Sequence, residues 1–204
     1  MTFRAFSRFV VPTILACAVV SACSSTPATP RAYVSETLMS GATSGTCNIS
    51  GGSAVLTIGT SMINQAVERV ASGTVEGGSV DIHCTVAAAS GGFRIALNAS
   101  LNSMLQATGG SLQATGTVDA TQGGSNIDVT VNNAGTGIYQ ESDCTITYMF
   151  DLTTGLSPAL PAAAPGRIWG HLDCPNAVDA NASSGGGPVA CHVQADFVFE
   201  NCDS

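Results

Sequence analysis

The chain has 204 residues, and its fourteen Asp and Glu outnumber six Arg and Lys for a formal net charge of −8. A surface this poor in cations excludes nucleic acid as a partner, because gripping phosphate takes a dense field of Lys and Arg. It equally excludes recruitment to anionic lipid by net charge alone.

The first thirty residues read as targeting rather than as fold. Arg4 and Arg8 form a basic start with no acidic residue near it, and Phe9 to Val20 is a largely apolar run of twelve residues. A helix needs roughly 20 residues to cross a hydrocarbon core of about 30 Å, so this run is a signal core and not a span. It ends in Val20-Ser21-Ala22-Cys23, an aliphatic residue and two small ones ahead of a cysteine. That sequence resembles the lipobox of bacterial lipoproteins. The resemblance implies a signal peptide over 1–22, cleavage before Cys23 by the lipoprotein signal peptidase, and acylation of the Cys23 thiol by fatty chains such as palmitate. Ile14-Leu15-Ala16-Cys17 also fits, but leaves a signal core of only about five residues. An ordinary secretory signal with a structural Cys23 is the plainer alternative.

One acyl chain holds a protein only marginally, whereas two or three hold it firmly, so the mature chain is expected to be anchored rather than spanning. Membrane lipid is then its first partner. Ser24 stands where an Asp typically retains Gram-negative lipoproteins at the inner membrane, so the resemblance implies the outer membrane, on its periplasmic or surface face. The small, polar, proline-containing run after Cys23 reads as a flexible tether over 23–44. Cleavage would leave all fourteen acids but only Arg31, Arg69, Arg94 and Arg167, a net charge near −10.

The remainder, 45–204, is long enough for one domain with a real core. Ser61 to Ala71 is the one helix candidate, with Met62, Ile63, Ala66, Val67 and Val70 on one face and Gly73 as a stop. Beyond it, period-two alternation dominates and predicts half-buried strands. The apolar rows are Val80-Ile82-Cys84-Val86; Phe93-Ile95-Leu97-Ala99-Leu101; Ile127-Val129-Val131; Cys144-Ile146-Tyr148-Phe150; Ile168-Leu172-Cys174; and Cys191-Val193-Ala195-Phe197-Phe199. Gly-Gly pairs at 51–52, 77–78, 91–92, 109–110 and 123–124 mark hairpin turns that need positive φ. Leu156 to Gly166, with three prolines, reads as a loop. The predicted fold is all-β: an antiparallel β-sandwich or flattened barrel with disulfides and at most one short helix.

Besides Cys23, the mature cysteines are Cys47, Cys84, Cys144, Cys174, Cys191 and Cys202, an even set that in an exported chain predicts three disulfides. Where the alternation is clear, each cysteine sits in the apolar register. Strands ending at Cys174 and starting at Cys191, joined through Pro175, Gly185-Gly186-Gly187 and Pro188, would make antiparallel neighbours. The expected bridge is Cys174–Cys191, with Cys84–Cys144 and Cys47–Cys202 following. That pairing sets Asp173 against His192, His171 against Gln194, and Trp169 against Asp196, with Arg167 beside Asp196. The lone tryptophan, two histidines and an arginine then share the solvent side of one hairpin, a composition suited to a glycan or a protein partner.

Other chemistry is thinner. His171-x-x-Cys174 and Cys191-His192 carry zinc-ligand types, but alternation puts His and Cys on opposite faces. Asp173, Asn176, Asp179 and Asn181, read as a loop, offer oxygens to Ca²⁺ without an EF-hand spacing. There is no G-x-S-x-G elbow, Walker loop or H-E-x-x-H, and no catalytic residue, cofactor or firm metal site is predicted.

Gly166-Arg167-Ile168-Trp169-Gly170, Asp173-Cys174-Pro175 and Phe199-Glu200-Asn201-Cys202 resemble uncharacterised disulfide-containing lipoproteins of myxobacterium-like bacteria. The resemblance implies compartment and disulfides, and no activity. The sequence as a whole predicts a membrane-anchored cell-envelope lipoprotein with a non-enzymatic binding or structural β-domain. The alternatives are an envelope hydrolase with a scattered site and a calcium-dependent adhesion module.

Overall fold

The computed structural model describes residues 28–40, 47, 54–60, 67–103, 109–133, 136–148, 161–181 and 190–204. They form β1 (Arg31–Ser40), β2 (Ala54–Ile58), β3 (Val70–Ala71), β4 (Gly73–Val75), β5 (Gly78–Ala89), β6 (Gly92–Ser103), β7 (Gly110–Asp119), β8 (Gly124–Asn133), β9 (Gly137–Thr147), β10 (Ala163–Ala164), β11 (Arg167–Asp179) and β12 (Ala190–Glu200). All twelve belong to one antiparallel sheet in the order β2-β1-β12-β11-β9-β8-β7-β6-β5-β4, with β10 on β11 and β3 on β1. The sheet curls into a half-barrel, and no helix occurs among the described residues. The predicted all-β class, antiparallel pairing and three disulfides hold.

The alternation explains the curl. On β5, Val80, Ile82, Cys84 and Val86 point inward; on β12, Cys191, Val193, Ala195, Phe197 and Phe199 do so, all buried. Rows of this kind from β1, β2 and β5 to β12 merge into one core. β2 lies across that core against β6 and β8. Hairpins join the long strands, and the Gly-Gly pairs at 77–78, 91–92 and 123–124 serve them as expected, with Gly77, Gly91 and Gly123 at positive φ, whereas neither Gly109 nor Gly110 adopts it. Gly91 adopts φ +82° in the β5–β6 turn, while a Cβ on Gly92 would overlap the Val118 carbonyl oxygen of β7. The first glycine supplies the left-handed turn and the second permits the close approach. The pair at 51–52 lies outside the described residues.

An open sheet leaves unpaired edges, which invite aggregation. The β5 edge is occupied instead. Ser72 Oγ accepts from Ile82 N (2.8 Å), Val86 N donates to Asp203 O (2.8 Å), Asp203 N to Cys84 O (2.9 Å), and Gly166 N to Val86 O (3.0 Å). The C-terminal tail and the β10–β11 turn thus seal β5, and the Cys84–Cys202 disulfide fixes the seam.

Several expectations are corrected. The tether does not reach residue 44, because Arg31–Ser40 is a ten-residue strand between β2 and β12, and the domain begins there rather than at 45. The helix expected over Ser61–Ala71 fails at its described end. Glu68 N donates to Thr60 O and Val70–Ala71 pairs with β1, while 61–66 lie outside the described residues. Ala163–Ala164 is a strand that turns through Pro165-Gly166 into β11. The segment Asp173–Asn181, read as a loop, is β11 as far as Asp179.

The disulfide pairing also differs: the bridges are Cys47–Cys191, Cys84–Cys202 and Cys144–Cys174. β11 and β12 are antiparallel neighbours as predicted, but their register is shifted by two, with Trp169 opposite Val198 and Cys174 opposite Val193. Pro175 has no N–H for the ladder, and the register slips between Cys174 and Ala177, as a bulge there requires. Cys191 therefore faces Ala177 and is free to meet Cys47. Cys174 bridges sideways to Cys144 on β9, Cα to Cα 4.5 Å, the spacing of a non-hydrogen-bonded antiparallel pair. Cys84 cannot reach Cys144, since three strands separate β5 from β9.

These bridges close loops of unequal length. Loop-closure entropy assigns about 5 kcal/mol to the 118-residue separation of Cys84–Cys202 and about 4 kcal/mol to the 30-residue separation of Cys144–Cys174. Urea unfolding of the paired Ala variants is expected to show the larger loss for Cys84/Cys202, and peptide mapping without reductant should recover the three bridges as stated.

Candidate functional site

Residues directly opposite on neighbouring strands share a face, so the β1–β12–β11 register stacks the outer surface into rows. Arg31, Glu200 and Arg167 form the first row; Tyr33, Val198 and Trp169 the second; Ser35, Asp196 and His171 the third; Thr37, Gln194 and Asp173 the fourth. On β9, Thr147 extends the third row and Thr145 the fourth. Met39 and His192 stand opposite each other beyond them.

All seven residues expected on the binding face, Arg167, Trp169, His171, Asp173, His192, Gln194 and Asp196, do lie on this one face. Their partners differ from expectation because of the two-residue shift. His171 Nδ1 meets Asp196 Oδ1 at 2.8 Å, and Asp173 Oδ1 meets both His192 Nε2 (2.6 Å) and Gln194 Nε2 (2.9 Å). Trp169 belongs to a small outer apolar cluster with Tyr33, Val67 and Val198, and lies 6.4 Å from the Tyr148 ring. Arg167 donates to Pro161 O at 3.4 Å. The face is therefore half apolar and half a set of His–carboxylate couples. Burial pulls Asp173 upward, but the hydrogen bonds from Gln194 and His192 and the charge of both imidazoles outweigh it, leaving the carboxyl below its usual range.

Beside this face, β8, β9 and the β11 bulge frame a groove of about 560 Å³ lined by Asp128, Thr130, Gln140, Glu141, Asp143 and Asn176. Asn176 N donates to Glu141 Oε2 at 2.9 Å. Desolvation raises the Glu141 pKa against that bond, and Asp143 and Asp173 add to the rise. Of the four calcium candidates only Asn176 reaches the groove. Asp173 holds His192, and Asp179 accepts from Asn181 N (2.8 Å) at the strand's end. Strung along one strand, Asp173 and Asp179 stand about 20 Å apart and do not converge. Glu141, Cys144 and Cys174 bring ligand atoms within 4.8 Å of one another, but both sulfurs are spent in a disulfide. Cys23 lies outside the described residues.

Sequence reasoning missed Glu36. It points into the core from β1, 0% exposed, and neither carboxyl oxygen has a hydrogen-bond partner among the described residues. Its cross-strand neighbours are Ala195 and Leu56. Burial pushes its pKa up to about 8, so the carboxyl is held neutral near pH 7. The signal was present: Ala32, Val34, Glu36 and Leu38 share one register, an acid inside an apolar row.

The chain matches no protein-family model, no curated protein and no solved structure. Its own residues carry the functional reading.

Glu36 gives the fold a pH dependence of defined sign. Below pH 4.5 both folded and unfolded chains hold the proton; between pH 4.5 and 8 only the folded chain does, so stability falls with rising pH. The total is about 5 kcal/mol, reached by pH 8 and level above it. Chemical denaturation at stepped pH is expected to show this fall in the wild type relative to Glu36→Gln, which cannot ionise. Parallel curves would contradict the buried, neutral carboxyl.

Proposed function

We propose that the chain is an exported lipoprotein, cut before Cys23 and held to a membrane by acyl chains on that cysteine. Its β-domain acts there by binding rather than by catalysis. The observation that carries the anchor is Val20-Ser21-Ala22-Cys23 directly after a twelve-residue signal core. The three bridges support it. They consume every cysteine after Cys23 and fit an oxidising compartment outside the cytoplasm. Ser24 favours the outer membrane.

For the domain, the outer face of β11 and β12 is the best candidate surface. It offers an aromatic ring, two imidazoles, carboxylates and an amide in two-residue rows, groups that exchange hydrogen bonds readily with a glycan or a peptide. The Asp196–His171 and Asp173–His192 couples also favour a second reading, a hydrolase, because a carboxylate that orients an imidazole makes a general base. Against that reading, neither histidine lines the acidic groove.

Mass analysis of the mature protein is expected to find an acylated N-terminal Cys23, and Cys23→Ser to leave the chain uncleaved and without lipid. A mature chain with a free Cys23 thiol would overturn the anchor. In capture from envelope extract, Asp173→Asn should weaken binding and Trp169→Ala abolish it, with Asp81→Asn on β5 as the control. Equal capture by all three would remove β11 and β12 as the binding face.

A further inference from the structure

We infer that the domain stands on the bilayer by one defined end, the end where β1 begins, and that its arginines meet the lipid headgroups there. The inference rests on the proposed acylation of Cys23. Its first support is chain length. Asn201 Nδ2 donates to Thr29 O at 3.0 Å, and Arg31 opens β1, so the chain is held to the domain from Thr29 onward. The six peptide units from Cys23 to Thr29 span at most about 22 Å.

The register shows what lies at that end. Arg31 is level with Glu200 and Arg167, and the Ser90-Gly91 turn, the Asp119–Gly123 turn and the C-terminal tail lie at the same end. Its opposite is marked by the Glu76-Gly77 turn, at the other end of β5. Twelve residues of β5 separate the two turns, about 40 Å along the strand and about 30 Å along the axis at the usual tilt. A link of about 22 Å keeps the first end at the membrane and leaves the Glu76-Gly77 turn far from it when the domain stands upright.

Charge supplies the second, independent support. All four arginines that follow Cys23 lie at the β1 end: Arg31, Arg167, Arg69, which pairs with Glu200 at 3.2 Å, and Arg94, two residues into β6. Among the described residues they are matched there by four carboxylates, Glu68, Asp119, Glu200 and Asp203. Among the described residues the sides and far end carry eight carboxylates, Glu76, Asp81, Asp128, Glu141, Asp143, Asp173, Asp179 and Asp196, and no arginine. An anionic surface repels the sides and tolerates the β1 end, so the charge orients a domain that it does not recruit. Trp169, partly buried in the outer apolar cluster near this end, is a residue type suited to the headgroup layer.

The test uses the acylated full-length protein on vesicles of phosphatidylcholine and phosphatidylglycerol carrying a dansyl headgroup acceptor. With Trp169→Phe removing the native donor, Ser90→Trp and Glu76→Trp place one donor at each end of β5. Energy transfer is expected to be several-fold stronger from Ser90→Trp, and equal or reversed transfer overturns the orientation. Arg31→Gln with Arg94→Gln should narrow the difference on phosphatidylglycerol-rich vesicles, and no narrowing overturns the role of charge. Amide exchange on the wild-type chain gives the same reading without substitutions. Slowing at 90–91 and 120–122 relative to detergent supports the inference, and slowing at 76–77 instead contradicts it. A wild-type chain that carries no lipid and stays off the vesicles fails the anchor reading itself and takes this inference with it, whereas a vesicle-bound chain with equal transfer fails the orientation alone.

Discussion

The pairing of β1 with β12 is the constraint on which the rest of the structure depends. It joins ten residues at the start of the domain to ten at its end, from Arg31 opposite Glu200 to Ser40 opposite Cys191. Such a ladder is the most non-local contact a chain can make, and its closure entropy must be met by burial. Ala32, Val34 and Leu38 provide that burial against the β12 row of Val193, Ala195, Phe197 and Phe199. With β12 fixed, Cys202 and Asp203 fall beside Cys84 and seal the free edge of β5. The meander from β5 to β9 supplies the opposite wall.

The same ladder sets the outer surface and the interior together. Alternation along β1 sends Tyr33, Ser35 and Thr37 outward into the rows completed by Val198, Asp196 and Gln194, and sends Glu36 inward. The cost is specific. A carboxyl set among apolar side chains keeps its proton near pH 7, and each pH unit between its free value and about 8 removes stability from the fold. The outer carboxylates face the reverse situation. Asp173 and Asp196 each meet an imidazole, and the bonds at Asp173 favour its charged form despite partial burial. Three neighbouring strands, β1, β12 and β11, thus hold a neutral acid on one side and paired acids on the other.

Much of this was legible in the sequence, for identifiable reasons. The strands with apolar residues or cysteines alternating along an inward row, β5, β6, β8, β11, β12 and the last part of β9, announced themselves, as did most of the Gly-Gly turns. β7 did not, because its inward row is Leu112, Ala114, Gly116 and Val118, too small and too glycine-rich to stand out. β1 was hidden by its neighbourhood: it follows a proline-containing polar run, and Glu36 interrupts its apolar row. The face on β11 and β12 was foreseen in membership and misjudged in register, since Pro175 reads equally as a turn former and as a bulge in a continuing strand. The bridges depended on that register and on the strand order, which alternation alone does not encode. The grouping of the arginines at the end where β1 begins needed the fold, because Arg31, Arg69, Arg94 and Arg167 are far apart along the chain.

Residues 31–40 belong to the fold and not to a tether, which leaves the proposed link to a membrane short. Amide hydrogen exchange on the disulfide-intact protein tests this most directly. Residues 32–38 are expected to exchange as slowly as their partners 193–199 on β12, opening only with global unfolding. Exchange of 32–38 at the rate of a free peptide, with β12 still protected, would contradict the account and return the segment to the tether.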